Sequence, residues 1–199
     1  MAHRSEWLSE EPFARRRELF LRAAPVFRKR GYRGSTLKEL ARACGISIPG
    51  LYRYFPSKKA FALFPLVALY PELHAPAPEV RAGDAVAHLT SWIDAAATEM
   101  PNYILALQLS REAVLRPSEQ RKVDANLAMH IAVLADIARR AAPHLSDRSA
   151  GELAASMVNV ATGPAVSGIL PDAEALRREL RALLRGHGIH LPPIARPRA

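Results

Sequence analysis

An all-α architecture is predicted by two features of the sequence: valines and isoleucines are scattered at helical spacing, and the good helix formers Ala, Leu and Arg dominate long stretches. Nothing reads as a strand. With 199 residues, 49% hydrophobic and 24% charged, the chain can bury a core as one domain or two small ones, and its composition is far from that of a disordered segment.

The first helix is expected from Ala14 to Arg30, with Leu19, Ala23, Val26 and Phe27 on one face and Arg15, Arg16, Arg22 and Lys29 around the other. Gly31 is placed to end it. Ser35 or Thr36 can cap a short second helix, Leu37 to Cys44, and Glu39 occupies the capping-box position if Thr36 is the cap. Gly45 breaks that helix after about two turns. Ser47 then caps a third, with Pro49 in its first turn where a missing amide hydrogen costs nothing, and this helix runs to about Tyr54. Ser57 caps a fourth, from Lys58 towards Tyr70.

Pro71, Pro76 and Pro78 fall within eight residues and make a linker-like stretch. Beyond it, helices are expected at about 80–98, 102–116, 118–142, 148–169 and 173–186, with Ser118 and Asp147 as caps. The tail from Leu191 onward is expected to fray.

Charge is distributed unevenly. Residues 1–60 hold 14 Lys and Arg against 5 Asp and Glu, and residues 61–199 hold 14 of each, so the whole excess of +9 lies in the first sixty. Such a segment suits a polyanion, because Lys and Arg that neutralise phosphates release condensed counterions. An anionic membrane surface is the competitor on charge alone. The chain has no apolar run long enough for a membrane span and no apolar N-terminal segment suited to a signal peptide, so a cytoplasmic protein is expected. Cys44, the single cysteine, lies in an apolar helix pattern and reads as a small core residue.

Two short helices joined by Ala43-Cys44-Gly45-Ile46 have the dimensions of a helix-turn-helix. Leu37, Leu40, Ala41, Ile46 and Leu51 can pack inward against Val26 and Phe27, leaving a second helix of a size that fits the major groove. Taken as single residues, Tyr32 and Phe55 read as core and Lys58 as a solvated lysine whose removal should hardly change stability. Arg15, Arg16 and Arg17 could touch phosphates or simply face water, and Arg33 lies close to the expected DNA side.

Gly31-Tyr32, Ser35-Thr36, Leu40-Ala41, Ala43-Cys44-Gly45-Ile46-Ser47, Gly50-Leu51-Tyr52-Arg53-Tyr54-Phe55 and Ser57-Lys58, in this register, resemble the TetR family over about residues 14–64. The resemblance implies an all-α dimer with an N-terminal three-helix DNA-binding head, residues 1–56, followed by a C-terminal helical ligand-binding and dimerisation domain, residues 57–199. It implies a DNA-binding set of Arg33, Ser35, Thr36, Ser47, Ile48, Pro49, Gly50, Tyr52, Tyr54 and Lys58, with Thr36, Tyr54 and Lys58 holding phosphates. Two departures stand out. Ile48 can pack against a thymine methyl but cannot hydrogen-bond a base, and Pro65 should kink or end the fourth helix near Phe64.

For the second domain, Trp92, Tyr103, Leu107, Met129, Val133, Met157 and Asn159 are the candidates for a ligand cavity, and the ligand should be largely apolar. His88 and His130 read as structural histidines. Leu153, Met157, Val160, Ala161 and Val166, then Leu176, Leu180, Leu183 and Leu184, give the last two helices apolar faces suited to a four-helix dimer contact, with Gly163, Ala165 and Gly168 permitting close approach. Ser110-Arg111-Glu112 reads as ordinary exposed helix polarity.

Metal-ligand spacing, a glycine-rich phosphate loop and a nucleophile paired with a base are all missing from the sequence, so no cofactor, metal or catalytic activity is expected. The expected partners are duplex operator DNA, a second copy of the chain and a small apolar effector, with no membrane. The expected role is a sequence-specific transcriptional regulator of the repressor type; the alternative is an architectural DNA-binding protein without an effector.

Overall fold

The computed structural model describes residues 13–68, 82–163 and 172–193. Among the described residues there are nine helices and no strand: α1 Phe13–Gly34, α2 Leu37–Cys44, α3 Ile48–Tyr54, α4 Lys58–Ala62, α5 Phe64–Ala68, α6 Ala82–Ala113, α7 Pro117–Ala141, α8 Asp147–Thr162 and α9 Ala173–Gly186. No helix among them is long and apolar enough to cross a membrane. The prolines at 71, 76 and 78, the stretch from Pro164 to Pro171 and the end of the tail lie outside the described residues.

Two compact units share α6 and α7. One holds α1 to α5 with α6 from Pro101 onward and α7 up to Asn126; the other holds the first part of α6, the rest of α7, α8 and α9. The helices expected at 80–98 and 102–116 are in fact one, α6, which passes through Pro101. An interior proline removes a backbone hydrogen bond and crowds the preceding turn. Here buried residues on both sides, Ile93, Ala96 and Ala97 before it and Ile104 and Leu105 after it, hold the helix in place regardless.

In the first unit, α1 buries Leu19, Phe20, Ala23, Ala24 and Phe27 against Leu40, Ala41 and Cys44 of α2 and Leu51 of α3. Phe20 and Ala24 widen the buried stripe beyond the one expected, and Arg16, expected on the polar face, is only 2% exposed. Aromatic rings fill the centre. Phe61 lies 4.4 Å from Phe55, 5.6 Å from Phe27 and 6.2 Å from Phe20, centroid to centroid. Leu105 and Leu109 of α6 join the same cluster, so this core reaches well past residue 56 along the chain.

Cys44 is fully buried, its thiol donates to the Leu19 carbonyl at 3.2 Å, and burial pushes its pKa up to about 11. It is a core thiol. The fourth helix breaks at Leu63, one residue before the expected place, and α5 restarts at Phe64 with Pro65 in its first turn, where no intrahelical donor is needed.

In the second unit, α8 packs on α9, and Leu153, Met157, Ala161, Leu176, Leu180 and Leu184 are buried within the protomer. Six of the nine apolar residues expected at a dimer contact therefore belong to the protomer's own core, whereas Val160 and Leu183 are half-buried and Val166 lies outside the described residues. Arg177 of α9 joins the Asp94 carboxylate of α6 at 2.8 Å.

The corner between α6 and α7 is strained. Val114 has φ +48°, a left-handed conformation that is an outlier for a β-branched side chain, and it is 64% exposed, so packing does not force a valine there. Val114→Gly is expected to raise stability by about 1 kcal/mol, relief of the left-handed strain exceeding the extra entropy glycine gains on unfolding. Urea unfolding of the two proteins side by side checks this; an equal or lower midpoint for the glycine variant would contradict it.

Candidate nucleic-acid interface

The helix-turn-helix is assembled from caps and one turn. Thr36 caps α2: its hydroxyl accepts from the Glu39 amide at 3.2 Å, and its own amide donates to the Glu39 carboxylate at 3.0 Å, the reciprocal pair that the spacing predicts. Those Thr36 hydrogen bonds hold the Glu39 carboxyl below the usual carboxylate range. Gly45 ends α2 in the left-handed conformation, φ +70°, with its amide on the Ala41 and Arg42 carbonyls. Ser47 caps α3 by accepting from the Gly50 amide at 3.1 Å.

This turn leaves the outer face of α3 bare. Leu51 is buried, whereas Ser47, Ile48, Pro49, Tyr52 and Arg53 are exposed, Ile48 at 37% and Tyr52 at 46%. Ile48 and Tyr52 are two of only four exposed large hydrophobic residues among those described. Gly50 keeps its surroundings open, since a Cβ there would come within 3.2 Å of the Ser47 hydroxyl. Ile48 and Tyr52 stand four residues apart and so share one face of α3.

Residues flanking α3 are placed less simply. Thr36 and Arg33 are exposed, but Ser35 is 2% exposed and its hydroxyl donates to the Tyr32 carbonyl at 3.0 Å, which takes it off the outer face. Tyr54 is half-buried against the head core. Lys58 is not the solvated lysine expected: its ammonium donates to the Ser35 carbonyl and sits 4.6 Å from the centre of the Tyr32 ring. Burial lowers its pKa, opposed by the charges of Glu112 and Glu39.

Glu112 is the residue that sequence reasoning missed. Its carboxylate accepts from the Tyr32 amide at 2.8 Å and the Arg33 amide at 3.2 Å, pinning the α1–α2 connection to α6. Gly31 makes room for it, with φ +66° and ψ −174° and the Glu112 oxygens 2.8 Å from where a Cβ would stand. No spacing within α6 announces this role; it depends on a partner 80 residues away.

The seven ligand candidates are dispersed. Tyr103 and Leu107 pack around Ala60, Leu63, Leu66 and Ala106 in the first unit, where burial raises the Tyr103 pKa. In the second unit Trp92 and Met157 are buried, Val133 is half-buried, and Met129 and Asn159 are exposed. His88 is exposed and His130 buried. Two head cavities, one lined by Ser57, Arg116 and Lys122 and the other by Pro25, Val26 and Arg42, include none of the seven. Among the described residues no cluster of His, Cys, Asp and Glu could hold a metal ion.

A buttressing helix, a glycine turn and an exposed second helix, set in the segment that carries the chain's positive excess, define a helix-turn-helix DNA-binding protein. Residues 19–63 match the family model for bacterial regulatory proteins of the tetR family. Over those residues the chain is similar to that family. Its fold is similar to that of the TetR family transcriptional regulator PfmR from Thermus thermophilus, 24% identical over 84% of this chain and 97% of that one, with a TM-score of 0.54. It is also similar to a TetR/AcrR-family regulator of Thermobifida fusca, 19% identical over 87% and 98% of the two chains with a TM-score of 0.57. A third similar structure, the ketosteroid transcriptional regulator KstR2 of Mycobacterium tuberculosis, is 18% identical over 90% and 97%, with a TM-score of 0.50. No curated protein matches the chain in sequence.

Proposed function

We propose that the protein is a dimeric repressor that reads a pseudo-palindromic operator with α3 and is released by a small, largely apolar ligand. The observation that carries the DNA-reading part is the bare apolar face of Ile48 and Tyr52 on a helix whose start, turn and buried side are otherwise fully built. Direct hydrogen-bonded readout is poorly served by that face, so contact with thymine methyl groups and DNA shape carry the specificity. Thr36, Arg33 and the amides that open α2 flank it as phosphate contacts. Two heads in successive major grooves would lie roughly 34 Å apart.

Dimerisation falls to the sides of α8 and α9 that the protomer leaves uncovered, where Ala155, Val158 and Ala182 are small or apolar and at least partly accessible. The ligand proposal rests on the apolar residues of the second unit and on the analogy of a similar fold in a ketosteroid regulator. The break at Leu63 and the scattered ligand candidates favour the second reading, an effector-independent architectural protein. Ligand release separates the two.

Selection from a random duplex library at about 150 mM salt tests the main reading, because lower salt exaggerates non-specific affinity. An inverted repeat is the expected product. Ile48→Ala should then change base preference with a small general loss, whereas Tyr54→Ala should weaken binding to all duplexes alike. The Tyr54 result must be normalised to the folded fraction, since that ring also packs on the core. Equal effects of both variants on every sequence would contradict this division of labour.

A further inference from the structure

Lys58 opens α4 directly after the Ser57 cap, whose hydroxyl accepts from the Ala60 amide at 3.0 Å, so the lysine stem leaves the backbone from a fixed point. The stem turns back onto the α1–α2 connection. Its ammonium donates to the Ser35 carbonyl and stands 4.6 Å from the centre of the Tyr32 ring. Both partners attract a cation: a carbonyl offers its lone pairs, and an aromatic face offers the negative lobe of its quadrupole. Lys58 is half-buried, so the ammonium has given up part of its hydration for these contacts.

The same connection is held through its donors as well. The Glu112 carboxylate takes the Tyr32 and Arg33 amides, while the Lys58 ammonium takes the carbonyl two residues further on. The two charges also act on each other, since Glu112 opposes the burial that lowers the Lys58 pKa. Between them the Ser35 hydroxyl donates to the Tyr32 carbonyl at 3.0 Å. Thr36 follows at once, and its capping box fixes the start of α2. Residues 32–36 are thus gripped by a cation from α4 and an anion from α6.

We propose that Lys58 is a positioning residue for DNA binding and not itself a phosphate ligand: with Glu112 it holds residues 32–36 so that Arg33 and Thr36 present themselves to the duplex backbone. The proposal rests on the DNA-binding reading and departs from the role that resemblance implies for Lys58. An ammonium that swung out to a phosphate would give up the Ser35 carbonyl and the Tyr32 ring together, and the turn before Thr36 would lose its hold from α4.

Salt dependence separates the two roles. A lysine that neutralises a phosphate steepens the fall of log K with log salt, whereas a residue that places other groups lowers affinity without a counterion of its own. Arg33 is the one cation within residues 32–36, so the comparison is made in an Arg33→Gln background, where Lys58 can alter the slope only by its own contact. There Lys58→Met should weaken binding to the selected operator about tenfold, through Thr36 and the amides that open α2, with an unchanged slope. A slope flattened by about 1.8, one phosphate from each protomer of a dimer, would make Lys58 a phosphate ligand and overturn the proposal. Undiminished binding at every salt concentration would overturn it too.

Hydrogen exchange in the free protein gives a readout that needs no DNA. In Lys58→Met the Tyr32 and Arg33 amides should exchange about tenfold faster, while the Phe27 amide inside α1 keeps its rate, because the opening is local. Unchanged rates at Tyr32 and Arg33, or equal acceleration at Phe27, would contradict the positioning role. Failure of the wild-type protein to enrich any duplex would remove the DNA-binding reading by itself, and exchange would still decide whether Lys58 holds the connection.

Discussion

Phe61→Ala is expected to destabilise the head by about 3 to 5 kcal/mol, the range for removing a large aromatic from a packed core. Phe61 is fully buried in α4, a helix of five residues whose own backbone hydrogen bonds cannot sustain it. Its ring touches α1 through Phe20 and Phe27 and stacks on Phe55 at the end of α3. Alanine would leave a cavity that all three helices line, and they can close it only by shifting α3, the helix proposed to read DNA. Urea unfolding followed by circular dichroism measures the loss, and operator affinity should fall in step with the folded fraction. Phe61→Leu, which refills most of the space, should recover more than half of the stability. A cost under about 1.5 kcal/mol for alanine would show that the cavity collapses without disturbing the helices.

Gly31→Ala is expected to cost about 2 to 4 kcal/mol through a different mechanism. The backbone at φ +66° and ψ −174° lies in a region essentially reserved for glycine, worth about 1 to 3 kcal/mol by itself for any other residue. A methyl group would also stand 2.8 Å from both Glu112 oxygens, driving that carboxylate off the Tyr32 and Arg33 amides. Those amides precede the cap of α2, so operator affinity should fall even where the head stays folded. The two causes can be separated. In a Glu112→Ala background the steric part disappears and only the backbone strain remains, so the second substitution should cost less than it does alone. Strict additivity of the two would place the whole effect in the backbone.

What was legible in the sequence follows from how local each feature is. Thr36 with Glu39, Gly45 and Ser47 are readable because a cap or a left-handed turn is satisfied by neighbours within a few residues. Leu40, Ala41 and Leu51 are readable because helical spacing sorts them onto one face. Arg16 defeats that logic. Its charge assigns it to water, while the width of the buried stripe on α1 places it inside. Pro101 defeats it too, since a residue that locally breaks a helix is retained where packing on both sides holds the helix together.

The sequence by itself determined the helical class, the helix-turn-helix and its register, and the gathering of positive charge at the N-terminal end, since each depends on periodicity, capping chemistry or composition along a short stretch. Only the tertiary structure decided that Ser35 and Lys58 turn inward, that Glu112 of α6 pins the start of α2, and that Arg116 and Lys122 meet Ser57 across a cavity. The reason is physical. A polar side chain takes whichever partner burial and geometry bring within about 3 Å, and when that partner lies dozens of residues away no local pattern encodes it.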